Sequence, residues 1–318
     1  MGRLLDGKWV TEDLGPDAQG RYVRRATLFR DWVRADGSTP YAPTPGRYVL
    51  YASWACGWTH RVLLARALKK LEAAIPVIYA LPFMGPEGWG FGGADTENGT
   101  DWLWQLYLRA RPGYTGRVSV PVLWDTETGT IVSNESADLL AMFDREFDAH
   151  GDATVRLYPE GLEAEIEAMV QANYGPVNNG VYRAGFAQSQ GAHTEAVTAL
   201  FSRLGELEEH LRTHRYLMGA SPTAADFCLF PTLYRFDAVY YTHFKCNVRH
   251  LYEYPNLWAY ARDVYSLPGV RGTCNLPQAI EHYYTSHESI HPRRYIPLGP
   301  SADRVDWEEP HDRDGISC

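Results

Sequence analysis

Hydrophobic positions settle into a regular pattern only after residue 46. RYVLYAS (47–53) is an almost unbroken apolar run rich in aromatic and branched side chains, which predicts a buried strand. Over 58–71 the spacing changes. Val62, Leu63, Ala65, Leu68 and Leu71 line up on one side of a predicted helix. IPVIYALP (75–82) returns to strand. After a Gly/Trp-rich insertion (84–100), VSVPVLWD (118–125) and GTIVS (129–133) meet at the turn TETG and predict a β-hairpin. Asn134-Glu135-Ser136 then opens a predicted helix over ADLLAMFDREF.

Beyond Asp148 the period is helical throughout. Helices are predicted over 161–175, 193–214, 223–244, 256–267 and 277–287, joined by turns that carry Gly or Pro. Thr223-Ala-Ala-Asp226 has the form of a capping box with Asp in place of the usual Glu. Residues 1–45 hold no sustained period and end in STPYAPTPGR, so they read as an extension laid on a domain. The chain therefore divides into an N-terminal extension (1–45), a βαβ–ββα domain (46–150) and an all-helical domain with a C-terminal tail (151–318). The βαβ–ββα order is that of a thioredoxin-like domain.

Composition narrows the function classes. A length of 318 residues suits two domains, and 45% hydrophobic residues suffice for large cores. The net charge of −9, with no long Lys/Arg run, argues against nucleic acid as a partner. No stretch approaches the ~18 apolar residues needed to cross a membrane, and MGRLLDGKWVTEDLG lacks an apolar leader core. A soluble, cytoplasmic protein is expected. The five cysteines, at 56, 228, 246, 274 and 318, form neither a C-x-x-C pair nor an even framework. They read as reduced thiols, and no metal site is expected.

Cys56 stands apart from the other four. In YASWACGWTHR it falls where the first strand gives way to the first helix, and a helix N-terminus favours a thiolate over a thiol. The residues alone leave two readings open, a nucleophile and a buried structural cysteine. The motif is C-x-x-T, so an external thiol must complete any disulfide chemistry.

A thioredoxin-like domain followed by an all-α domain resembles the glutathione transferases. The segments YASWACGWTHR, GRVSVPVLWD, SNESADLL, NNGVYRAGFA, LYRFDAVYYTHFKCN, YPNLWAYARDVYSLPGV, HYYTSH and IPLGP look like the glutathionyl-hydroquinone reductases, the Xi class of that family. The likeness runs from about residue 40 to about 300. One departure is local. The family pattern is Cys-Pro-Trp-Ala, whereas this chain has Cys56-Gly57-Trp58-Thr59.

The resemblance implies a glutathione co-substrate and a catalytic Cys56 that forms a mixed disulfide with it. Val120-Pro121, with a cis proline, is implied to present backbone groups to the peptide. Glu135 and Ser136, at a helix N-terminus, suit its γ-glutamyl end. Arg117 and Trp89 match positions that contact glutathione. Tyr182, Tyr283 and Tyr284 match substrate-side tyrosines, with Tyr182 and Tyr283 as catalytic candidates able to deliver a proton to the quinol ring. Tyr234, Tyr240 and Tyr241 either line the same slot or pack the bundle. A homodimer is also implied. The implied reaction is reduction of glutathionyl-hydroquinones to hydroquinones with release of oxidised glutathione. The alternatives are a related dehalogenating, ether-cleaving or deglutathionylating thiol transferase, and a non-catalytic binding protein of the same fold.

Overall fold

The computed structural model describes residues 2–12, 14–301, 304–316 and 318. The chain forms two compact units. The first comprises residues 1–14, 25–155 and 277–288, and the second residues 15–24, 156–276 and 289–318.

In the first unit, strands β1 (Arg3–Leu5) and β2 (Lys8–Val10) form an N-terminal hairpin. The main sheet begins with β3 (Tyr48–Ala52), every residue of which is buried, as its continuous apolar run requires of a central strand. Helix α1 (Gly57–Leu68) crosses over to β4 (Val77–Tyr79), parallel to β3. Helix α2 (Leu103–Ala110) buries Leu103, Leu106 and Tyr107 on one face. It lies between the Gly-rich insertion and β5 (Gly116–Arg117), where the sequence had suggested no element. Strands β6 (Val122–Asp125) and β7 (Thr130–Ser133) form the expected antiparallel hairpin, and helix α3 (Ser136–Arg145) packs against α1. The strand order is β4-β3-β6-β7, with β6 antiparallel to both neighbours.

The extension divides between the units, residues 15–24 falling in the second and the rest in the first. Strand β1 pairs with β5, opposing Arg3 to Arg117 and Leu4 to Gly116, and completes a separate sheet of order β2-β1-β5. Phe29 and Val33 are buried. Arg47, just before β3, clamps Asp125 at the end of β6 through two hydrogen bonds of 2.7 Å.

The second unit contains α4 (Glu163–Asn173), α5 (Gly180–Gly185), α6 (Gln190–His210), α7 (Ala224–Arg235), α8 (Tyr241–His243) and α9 (Pro255–Ser266). The continuous helix expected over 223–244 is broken: a π-helical stretch, Phe236–Tyr240, separates α7 from α8, and another, Tyr174–Asn178, follows α4. Helix α7 buries every residue, and its N-terminus is closed by the Thr223/Asp226 capping box. The last helix, α10 (Leu276–Ser286), belongs to the first unit from residue 277 onward.

Candidate active site

Cys56 is the N-cap of α1. It has extended backbone (φ −78°, ψ 117°) and a side chain that makes no capping hydrogen bond. Its N–H donates to the Ser53 carbonyl at 3.2 Å, and its carbonyl accepts the His60 N–H at 3.0 Å. Strand exit and helix entry thus both fix the residue that carries the sulfur. The half-buried Sγ lies 3.7 Å from the carbonyl oxygen of Val120, and the Val120–Pro121 peptide is cis. Cys56, Val120 and Pro121 are therefore brought together. The first turn of α1 is buried, with Arg61 lying over the Trp58 ring at 4.7 Å. Thr59, three residues after the cysteine, is fully buried, and its hydroxyl makes no hydrogen bond within the protein.

Glu135 caps α3. Its carboxylate accepts the Ala137 N–H at 3.3 Å and the Thr27 hydroxyl at 3.0 Å. Thr27 was not singled out from sequence. It comes from the N-terminal extension more than a hundred residues away, and no local signal marks it. Ser136 follows as the first helical residue. Its hydroxyl is buried and bonded to nothing within the protein. A buried, unbonded hydroxyl at a helix start, where the dipole is positive, is a donor suited to a carboxylate.

Trp89 is buried, and its carbonyl accepts the Leu103 N–H at 2.9 Å. Its indole stacks on the imidazole of His282, with centroids 4.7 Å apart and planes 14° from parallel. Arg117 sits on β5, where its carbonyl accepts the Tyr114 hydroxyl at 3.0 Å. Tyr283 and Tyr284 on α10 are both buried, and Tyr283 packs edge-on against His282 and His287. His282 was passed over within HYYTSH, although a His and a Ser four residues apart signal a shared helix face.

Tyr182 lies on α5 in the second unit. Its hydroxyl is 3.4 Å from that of Tyr240, and its ring packs on Phe186, Tyr240 and Phe244. Tyr182 is half-buried, whereas Tyr240 and Tyr234 are core residues. Tyr234 stacks on Tyr265 and tilts against Trp307, and Tyr241 stacks on His250.

The other thiols differ from Cys56 in setting. Burial pushes Cys246 far above the ordinary thiol value and Cys274 up to about 12, so both stay protonated. Cys228 lies inside α7. Among the described residues no cluster of three or more His, Cys, Asp or Glu is arranged to hold a metal ion. Nor is any helix among them long and apolar enough to cross a membrane.

Comparison with known proteins gives the family of the chain. The glutathione S-transferase N-terminal domain matches residues 55–146, and the glutathione S-transferase C-terminal domain matches residues 190–263. The chain is 45% identical to the glutathionyl-hydroquinone reductase YqjG of Escherichia coli, over 99% of each chain. It is 43% identical to the glutathionyl-hydroquinone reductase PcpF of Sphingobium chlorophenolicum, over 95% of this chain and 97% of that one. The Xi-class transferase of Natrialba magadii superposes with a TM-score of 0.93 at 45% identity, covering 100% of this chain and 98% of its own. The glutathione-bound structure of the Escherichia coli protein superposes with a TM-score of 0.87 over 99% of both.

Proposed function

Because the chain belongs to the glutathionyl-hydroquinone reductases, the Xi class of the glutathione transferases, we propose that it uses glutathione to reduce glutathionyl-hydroquinones through Cys56. The observation that carries this reading is the Cys56 sulfur at an uncapped helix N-terminus, 3.7 Å from the Val120 carbonyl. That setting puts the sulfur at the positive end of a helix and beside the backbone of the cis Val120–Pro121 peptide, where a peptide thiol can be brought against it.

In the first step the Cys56 thiolate attacks the sulfur of the conjugate. The carbon–sulfur bond breaks, the ring carbon takes up a proton, and a Cys56–glutathione disulfide and the hydroquinone result. In the second, a glutathione thiolate attacks the glutathione sulfur of that disulfide, releasing oxidised glutathione and restoring the Cys56 thiolate. Overall, the conjugate's thioether sulfur and one glutathione thiol become the two sulfurs of a disulfide while one carbon–sulfur bond becomes carbon–hydrogen, so the two-electron oxidation at sulfur balances the two-electron reduction at carbon. The carbon leaving group needs a proton donor. Tyr182 and Tyr283 are proposed for this role and Tyr284 for holding the ring, because a phenol hydrogen-bonds a ring oxygen and can pass a proton to carbon.

Glu135 and Ser136 are proposed to receive the γ-glutamyl end, supported by the unbonded Ser136 hydroxyl at the start of α3. Trp89, Arg117, Val120 and Pro121 complete the proposed glutathione site, with no metal in the reaction. A homodimer in the cytoplasm is the proposed assembly. The exposed Tyr295, Ile296 and Leu298 offer apolar surface for a second copy, and light scattering reads the mass directly.

The decisive experiment replaces Cys56 by Ala and follows glutathione-dependent release of menadiol from glutathionyl-menadiol. Turnover is expected to fall at least about 10³-fold, as for loss of a covalent nucleophile. Undiminished turnover would sink the proposal.

A further inference from the structure

Helix α10 does more than carry two tyrosines. His282 and Ser286 lie four residues apart, on one face of the helix, and both grip the segment that leads to Trp89. His282 Nδ1 lies 2.7 Å from the carbonyl oxygen of Pro82. A proline carbonyl can only accept, so Nδ1 carries the proton and donates it. The Ser286 hydroxyl oxygen accepts the Met84 N–H at 2.9 Å and lies 3.3 Å from His282 Nδ1. The imidazole plane then stacks on the Trp89 indole, 4.7 Å between centroids and 14° from parallel. One buried side chain therefore fixes both the backbone at the start of this loop and the aromatic ring at its end.

The geometry points to His282 as a positioning residue that holds Trp89 for glutathione. Within residues 82–89 the Gly88 N–H donates to the Gly85 carbonyl at 3.0 Å and the Pro86 carbonyl accepts the Trp9 indole N–H at 3.0 Å, and His282 and Ser286 add the ties at Pro82 and Met84. Without the imidazole, the indole loses its stacking partner and the Pro82 carbonyl loses its donor. Each is a contact that limits the rotamers and loop conformers open to Trp89 before the ligand arrives. Pre-ordering of this kind lowers the entropy lost on binding and shows up as glutathione affinity. The inference rests on the proposal that Trp89 contacts glutathione, and it assigns His282 no contact with substrate.

The test measures glutathione binding by calorimetry in a Cys56→Ala background, which prevents the mixed disulfide. His282→Leu is expected to weaken binding by about 10-fold, the scale of one lost hydrogen bond and one ring contact. His282→Asn, whose amide can donate to Pro82 from the place of Nδ1, should recover about half of that loss on a logarithmic scale. Ser286→Ala should weaken binding by about 3-fold, with its thermal midpoint monitored to show that the fold is kept. Because His282 acts through Trp89, adding His282→Leu to Trp89→Leu should cost nothing further.

If Trp89→Leu weakens binding while both His282 variants bind like the parent, the positioning role is wrong and the Trp89 proposal stands. If Trp89→Leu itself has no effect, both fall. A His282→Leu effect that adds in full to that of Trp89→Leu also overturns the inference, since it places the action of His282 elsewhere.

Discussion

Helices α1 and α7 begin with the same capping positions filled to opposite ends. In α7 the N-cap is Thr223 and the third helical residue is Asp226. The Asp226 carboxylate accepts the Thr223 N–H at 2.7 Å, the Thr223 hydroxyl at 3.1 Å, the Leu217 N–H at 2.9 Å and the Tyr260 hydroxyl at 2.8 Å. The Ala224 and Asp226 N–H groups also find carbonyl partners, Leu157 at 2.7 Å and Thr223 at 3.0 Å. In α1 the N-cap is Cys56, which caps nothing, and the third residue is Thr59, whose buried hydroxyl is bonded to nothing. The closed terminus is structural, and the open one leaves its donors and dipole available to the Cys56 sulfur, as the proposed site requires.

The sharpest way to break this comparison is to open the closed end. Asp226→Ala strands two backbone N–H groups and two hydroxyls in a fully buried place, so a loss of about 3–5 kcal/mol is expected in urea unfolding. A loss below about 1 kcal/mol means that the box does little for α7.

Both termini were legible in the sequence because their signals are local. A Thr three residues before an Asp, and a Cys where strand period turns to helix period, need no distant partner to be recognised. The same holds for Glu135-Ser136 at the start of α3, whereas the cis Val120–Pro121 peptide was legible only through the family resemblance. What escaped was non-local or masked. The pairing of β1 with β5 depends on a partner strand two residues long, too short for any period to show. Helix α2 has Leu103, Leu106 and Tyr107 at helical spacing, yet it follows a Gly-rich stretch and starts at Trp102 with no Ser, Thr, Asp or Asn as cap. The interruption at Phe236–Tyr240 leaves an apolar pattern unbroken, so periodicity alone predicted one long helix. The grip of His282 on Pro82 spans two hundred residues, and only the fold brings the two together.

A second closed device sets a pH dependence. Burial alone would push the Asp125 carboxyl up. Its hydrogen bonds from the Arg47 guanidinium, the Thr128 hydroxyl and the Glu127 N–H overcome that and bring it below the ordinary carboxyl value. A depressed carboxyl stabilises the fold fully above its unfolded value of about 3.9, and that contribution is lost as pH falls through the lower folded value. Urea midpoints should therefore show no contribution from this pair to any change between pH 7 and 5, and a loss below about pH 4. Asp125→Asn should show a shallower acid decline than the parent. Equal acid slopes would contradict the assignment.

The open end predicts a gain where the closed end predicts a loss. Thr59 is fully buried, and its hydroxyl pays the cost of leaving water with no bond in return. Thr59→Val keeps the branched shape and removes the oxygen, so stability should rise by about 1 kcal/mol in urea unfolding. A fall of more than about 0.5 kcal/mol would mean that the hydroxyl works for the fold and that α1 is less open than its hydrogen bonds imply.

The smallest effect concerns Gly57, where this chain departs from the Cys-Pro-Trp-Ala pattern. Gly57 is the first helical residue, so its N–H has no partner within the helix and a proline there removes no helical bond. The preceding residue already has the extended backbone that proline demands of its neighbour, since Cys56 stands at φ −78° and ψ 117°. Gly57→Pro should therefore narrow the unfolded ensemble without straining the folded one, and raise stability by about 0.4–1 kcal/mol. The backbone of Cys56 is held by its own N–H on the Ser53 carbonyl and its own carbonyl on the His60 N–H, neither of which involves residue 57, so menadiol release should stay within about 3-fold of the parent. A larger drop in turnover with stability raised as expected would show that the Gly57 N–H itself serves the sulfur, and that the openness of this terminus extends to its first backbone donor.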